Sequence, residues 1–201
     1  MLEFIEKGGV FMYPIIVCSV LSLAIFLERV WSMRRKLNLP QAFLQEVTQL
    51  LRENNVPKAL ALCSGNGSSI SRIFAVGLAN YGKKREMIKE LIEEVGRRET
   101  ALLGKYIEAL STIASVSTLL GLLGTIAGMI KIFSVISSES VVNPSTLAGG
   151  ISEALYTTAA GLTVAIPTII FYRYVSSKSN VLVMEMEECS SQMVDLIKEK
   201  D

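Results

Sequence analysis

No histidine occurs in the 201 residues. Its absence removes the commonest general base, the commonest metal ligand and the usual near-neutral pH switch together. Cysteine is scarce as well: Cys18, Cys63 and Cys189 are widely spaced and form no CxxC pair, so they are expected as reduced packing residues rather than a disulfide framework. Excess charge is also missing. A net charge of +1 provides no basic field for nucleic acid, and the Lys83-Lys84-Arg85 run is balanced by Glu86, Glu90, Glu93 and Glu94, with only Tyr81 beside it. Such a run reads as a solvated helix face, and no nucleic-acid partner is expected. There is no internal repeat and no low-complexity tract.

What the chain does have is apolar length. Half its residues are hydrophobic and its mean hydropathy is +0.43, above an ordinary soluble composition. Val10 to Leu27, Ala109 to Ile130 and Ala154 to Tyr172 are charge-free runs of 18, 22 and 19 residues, each able to cross roughly 30 Å of hydrocarbon. Strand alternation is absent, so the backbone must be satisfied by helices. The expected fold class is an all-α integral membrane protein with three transmembrane helices and long helical cytoplasmic extensions.

Charge placement predicts the orientation. The first run is preceded by Glu3, Glu6 and Lys7 and followed by no small-residue cleavage site, so it reads as an anchor rather than a signal peptide. Arg29, Arg34, Arg35 and Lys36 come directly after it and hold its following end inside. Of the twenty Lys and Arg, 14 lie between residues 28 and 108 and 4 in the tail from Arg173, with only Lys7 and Lys131 outside. The predicted layout is a periplasmic N-terminus (1–9), a first span (10–28), a cytoplasmic helical domain (29–108), a second span (109–136), a periplasmic loop (137–153), a third span (154–172) and a cytoplasmic C-terminal helix (173–201).

Within the cytoplasmic part, Gln41 to Glu53 reads as one helix. Asn55 caps a second with Pro57 in its first turn, Ser64-Gly65-Asn66-Gly67-Ser68 breaks the chain, and Ile70 to Tyr81 forms a third. From Lys83 the spacing of Ile88, Leu91, Val95, Leu102, Tyr106 and Ala109 predicts one helix running into the second span as far as Phe133, about fifty residues or ~75 Å. The tail gathers Leu182, Met186, Cys189, Met193 and Leu196 on one face.

Polar groups inside the spans carry the functional signal. Ser111, Ser115, Thr118 and Thr125 share one face of the second span, and Gly121, Gly124 and Gly128 allow close helix approach. In the third span Ala154, Thr158, Gly161, Ala165 and Thr168 form a second small stripe, which fits either tight packing or a shared channel lining. Neither run contains Asp, Glu, Lys, Arg or His. A proton path ordinarily needs a titratable group, even at an insertion cost of about 2.5–3.5 kcal/mol. The chain supplies walls and no relay. An intramembrane hydrolase would need a base or paired aspartates in the bilayer, so no enzymatic activity and no cofactor or metal is expected. Glu153, at the start of the third span, fits both a helix-capping charge and a cation-attracting mouth. Pro167 is expected to kink that span and free a carbonyl near Thr163.

Gly121-Leu-Leu-Gly-Thr125-Ile-Ala-Gly128 and Glu153-Ala-Leu-Tyr-Thr157-Thr158-Ala-Ala-Gly161-Leu-Thr-Val-Ala-Ile-Pro167, with Met12-Tyr-Pro14-Ile and Leu27-Glu-Arg29, resemble the ExbB/TolQ/MotA proton-channel family. The single span before the loop is similar to the ExbB and TolQ branch. The resemblance implies a homo-oligomer, a pentamer, whose second and third helices line a pore. It also implies an ExbD/TolR-like single-span partner, present as a dimer with a membrane Asp that carries the proton, and a TonB- or TolA-like transducer beyond it, in a bacterial inner membrane among its lipids. It assigns Thr125 and Thr158 to the pore and Glu153 to its mouth, with Thr157 a neighbour of open register. Ser115 and Thr118 join this pathway by their position on the same face as Thr125. Gly121, Gly124, Gly128, Gly161 and Pro167 are expected in helix packing. The rival expectation is a passive helical scaffold that recruits other proteins and is indifferent to uncouplers.

Overall fold

A computed structural model of the protein describes residues 8–138 and 143–198. Most of the predicted N-terminal segment, part of the predicted loop and the last three residues lie outside the described residues. The regular structure is helical, with no strand among the described residues: α1 Met12–Ser32, α2 Arg35–Asn38, α3 Gln41–Arg52, α4 Val56–Gly65, α5 Ser69–Ala79, α6 Arg85–Gly104, α7 Ile107–Ser138 and α8 Pro144–Lys198. Three stretches are long and apolar enough to cross a membrane. Contacts divide the chain into a membrane unit, Met1–Glu28 with Tyr106–Tyr174, and a second unit, Arg29–Lys105 with Val175–Asp201.

The membrane unit is held by small side chains and a few aromatics. Met12 and Ile15 of α1 pack with Ala160, flanked by Leu120 and Val164. Phe26 stacks on Phe171 with ring centroids 4.1 Å apart. Between α7 and α8 the contact is nearly backbone on backbone: a Cβ added at Gly161 would lie 2.6 Å from the Ser117 carbonyl oxygen and 2.9 Å from Gly121 Cα. Bare helix surfaces that approach this closely gain dispersion contacts that lipid tails cannot supply. The outer faces carry exposed Val20, Leu119, Leu122, Ile130, Ile166 and Ile170, a surface suited to lipid or to neighbouring protein and not to water.

The second unit has an ordinary apolar core. Phe43, Val47, Ile70, Phe74, Ile88 and Ile92 are buried, and each such side chain contributes roughly 1.5–3 kcal/mol by leaving water. Asn55 accepts from the Lys58 N–H at 3.3 Å, with Pro57 in the first turn, as expected for the α4 cap. Ser68 caps α5. Gly77 gives α5 room against its neighbours, since a Cβ there would meet Met193 Cε at 2.6 Å and Ile92 Cδ1 at 2.9 Å. Arg72 grips the buried Glu99 through Nε–Oε1 at 2.6 Å and Nη2–Oε2 at 2.5 Å. Hydrogen bonding to Glu99 holds the Arg72 guanidinium above its ordinary pKa; partial burial opposes this and the carboxylate charge adds to it.

Cys63 is buried and unpaired with another cysteine. Burial pushes its thiol up to about 11, so almost no thiolate exists near neutrality. Cys63 is expected to resist iodoacetamide at pH 8 while the protein is folded and to react once it is denatured. Mass spectrometry of the alkylated peptide reads the difference, and rapid native labelling would contradict the packing.

Two features depart from the sequence reading. The single helix expected from Lys83 to Phe133 is interrupted. Lys105 is extended (φ −56°, ψ 134°) and Tyr106 sits at φ +64°, a left-handed conformation that no helix continues through. The guanidinium of buried Arg29 donates to the Leu102 and Leu103 carbonyls at 3.3 and 3.4 Å, filling acceptors that the end of α6 leaves open. The buried register also differs. Ile88, Ile92, Leu103, Ile107 and Leu110 are buried, whereas Leu102 and Tyr106 are exposed. The second departure is at the predicted loop. Helix α7 continues to Ser138 and α8 starts at Pro144, where Asn143 Oδ1 accepts from the Ser145 N–H at 3.0 Å and proline suits the first helical position.

Candidate functional site

The glycines of α7 bring two threonines together. Gly121, Gly124 and Gly128 are buried on one side of α7. A Cβ at Gly121 would sit 3.3 Å from the Thr158 backbone, and one at Gly128 would sit 2.7 Å from Ala154 Cβ. This approach places the Thr158 hydroxyl where it donates to the Gly121 carbonyl at 2.9 Å and contacts the Thr125 hydroxyl. Thr125 also lies 3.4 Å from the same carbonyl. Each hydroxyl has one proton to give. A consistent assignment has Thr158 donating to Gly121 and accepting from Thr125. Both residues are half-buried, so the pair sits at the edge of the α7–α8 contact.

Thr157 does not join this pair. It is 1% exposed, its methyl packs onto Gly124, and its hydroxyl is shared between the Gly8 carbonyl at 2.6 Å and the Glu153 carbonyl at 2.9 Å. Of the two adjacent threonines, one residue of helical rotation turns Thr157 into this chain's own interior and leaves Thr158 at the edge. The third-span stripe resolves likewise. Ala154, Ala165 and Thr168 are buried, at 3%, 1% and 1% exposure, and only Thr158 reaches the edge. Ser115 and Thr118 are exposed and bond back to the Ser111 and Ala114 carbonyls at 3.1 and 3.0 Å.

Pro167, expected among the packing residues, is exposed on the surface of this chain. Helix α8 continues through it. Its ring has no N–H for the Thr163 carbonyl, while the Thr163 hydroxyl is bonded to Ala159 at 2.7 Å.

Glu153 lies beside the start of the third apolar run. It pairs with Lys131 of α7, Nζ to Oε2 2.9 Å, with side chains 34% and 66% exposed respectively. Gly9, at φ +69°, passes so close to the carboxylate that no Cβ fits. An exposed pair of this kind contributes only about 0–1 kcal/mol to stability.

One residue escaped the sequence reading. Ser117 is fully buried and its hydroxyl has no hydrogen-bond partner, while its backbone carbonyl lies against the bare Gly161. The series Leu110, Ala114, Ser117, Gly121, Gly124 and Gly128 is the signal that could have found it, because it repeats a helical face more regularly than the hydroxyls do. Among the described residues no group of three or more His, Cys, Asp or Glu could hold a metal.

Three apolar helices, the second and third packed together through glycine, define a multi-pass membrane protein. The family model of the MotA/TolQ/ExbB proton channel family matches residues 66–188. The chain is 37% identical over 169 residues to the biopolymer transport protein ExbB-like 3 of Synechocystis, covering 82% of this chain and 79% of that one. To biopolymer transport protein exbB1 of Vibrio cholerae it is 29% identical over 169 residues, covering 82% and 74%. To the Tol-Pal system protein TolQ of Pseudomonas aeruginosa it is 32% identical over 127 residues, covering 58% and 55%. The chain belongs to the MotA/TolQ/ExbB proton channel family.

Proposed function

We propose that the chain is the ring-forming subunit of a proton-motive-force-driven motor channel in a bacterial inner membrane. It assembles as a homopentamer around the membrane helices of an ExbD/TolR-like dimer. The faces carrying Ser115, Thr118, Thr125 and Thr158 turn toward the central space. The Lys and Arg bias sets the N-terminus and Glu153 outside and the second unit in the cytoplasm. Protons pass Glu153 and neutralise a carboxylate of the partner beside the Thr125–Thr158 hydroxyls, which frees that helix to move. A potential of 100 mV supplies about 2.3 kcal/mol per charge, comparable to the roughly 2.5–3.5 kcal/mol cost of holding a charged side chain in the bilayer, so neutralisation is sufficient to gate motion. The work leaves through the partner, and a TonB- or TolA-like transducer, to energise outer-membrane transport or envelope maintenance.

The supporting observation is the half-buried hydroxyl pair in apolar runs that contain no Asp, Glu, Lys, Arg or His. The test is proton uptake by proteoliposomes under an imposed potential. Vesicles with this chain alone are expected to take up few protons, and vesicles with the co-purified partner many more. Equal flux from the chain alone would overturn the borrowed-acid mechanism.

A further inference from the structure

Lys131 is the only cation expected on the outer side besides Lys7, and it is spent on Glu153. Two observations argue that its role is not to hold the helices together. Packing next to it is already fixed by bare backbone: a Cβ at Gly150 would fall 2.7 Å from Ile132 Cγ1, and one at Gly128 would fall 2.7 Å from Ala154 Cβ. The pair is also largely solvent-facing, where ion pairs contribute little stability. What the ammonium does change is charge. It lies 2.9 Å from Glu153 Oε2, on a cavity of about 470 Å³ lined also by Val135, Thr146 and Gly150, and among the described residues Lys131 and Glu153 are the charged ones lining it. Gly9 closes on the carboxylate from another side with uncharged backbone.

We propose that Lys131 sets the electrostatic character of the mouth, offsetting Glu153 within each protomer so that the assembled ring offers neutral pairs to arriving protons instead of a ring of bare carboxylates. This rests on the ring reading above. A ring of like charges concentrates counter-ions and raises their arrival rate by ~10-fold or more at low ionic strength. Lys131 thereby sets the arrival rate of cations, because it withholds that attraction from protons and metal cations alike and leaves selection to the hydroxyl pair in the wall.

The experiment is proton uptake by vesicles containing the chain and its co-purified partner, at ~10 mM and ~1 M salt, where charges are felt across about 30 Å and 3 Å respectively. Lys131→Met and, as a second test, Lys131→Gln should each raise uptake by about 3- to 10-fold at low salt and return to the unchanged protein's rate at high salt. Lys131→Arg should match the unchanged protein throughout. Uptake unaltered by both neutral substitutions at low salt, or a gain that persists at high salt, would overturn the proposal. Thr158→Val in the same vesicles separates the two readings: if it retains full uptake, the pore assignment fails whatever Lys131 does.

Discussion

Thr158→Val is expected to abolish proton-driven work while the protein still folds and assembles. Valine keeps the shape of threonine and loses only the hydroxyl. The Gly121 carbonyl that Thr158 serves lies inside α7 and keeps its helical N–H partner, so no buried acceptor is orphaned. The Thr125 hydroxyl, 3.4 Å from that carbonyl, can move onto it. The expected stability change is therefore about 0–1 kcal/mol. Function should respond far more. Losing one hydrogen bond of about 1.4 kcal/mol would by itself slow the step roughly tenfold. In the proposed function the interrupted hydroxyl pair also leaves an apolar gap beside the partner acid, and that gap is what stops the transfer. Proton uptake and size-exclusion elution, measured on the same preparation, separate the two effects. Full uptake with normal elution would remove Thr158 from the pathway.

The second large effect belongs to Gly161. Its would-be Cβ meets the Ser117 carbonyl and Gly121 Cα, both backbone atoms that cannot rotate away, so Gly161→Ala must push α7 and α8 apart. Overpacking of this kind costs typically about 1–3 kcal/mol, and separating the helices also parts Thr158 from Gly121. Gly149→Ala is the matched control. It sits in the same helix with nothing within 4 Å of its Cβ position, and replacing an unconstrained helical glycine stabilises by ~0.5–1 kcal/mol. Thermal unfolding in detergent should therefore move in opposite directions for the two variants. A Gly161→Ala protein as stable as the Gly149→Ala protein would contradict the close α7–α8 contact.

The sequence discloses those features that are sums over neighbouring residues. The three spans are such sums, since crossing hydrocarbon depends only on length and missing charge. The α4 cap at Asn55 is equally local. The interruption at Tyr106 is not: apolar periodicity runs on through it, and the bonds that accommodate it come from Arg29, 73 and 74 residues earlier. The Arg72–Glu99 grip spans 27 residues and lies outside any helical-neighbour rule. At the site, spacing to Gly161 favoured Thr158 over Thr157 but could not show what holds Thr157. Gly8, whose carbonyl accepts from the Thr157 hydroxyl, and Gly124, against which its methyl packs, are what bury it. Ser117 was hidden because it lies one residue away from the hydroxyl series and belongs to the glycine ladder instead.

Arg29 has a consequence for how the molecule is made. The charge flanking a first span instructs topology while the chain is still emerging, yet in the finished protein Arg29 is 6% exposed and its guanidinium is bound to carbonyls that are synthesised much later. In the proposed orientation the same residue acts first as an address label for insertion and afterwards as a rivet. Its two employments are separated in time by the translation of the intervening segment.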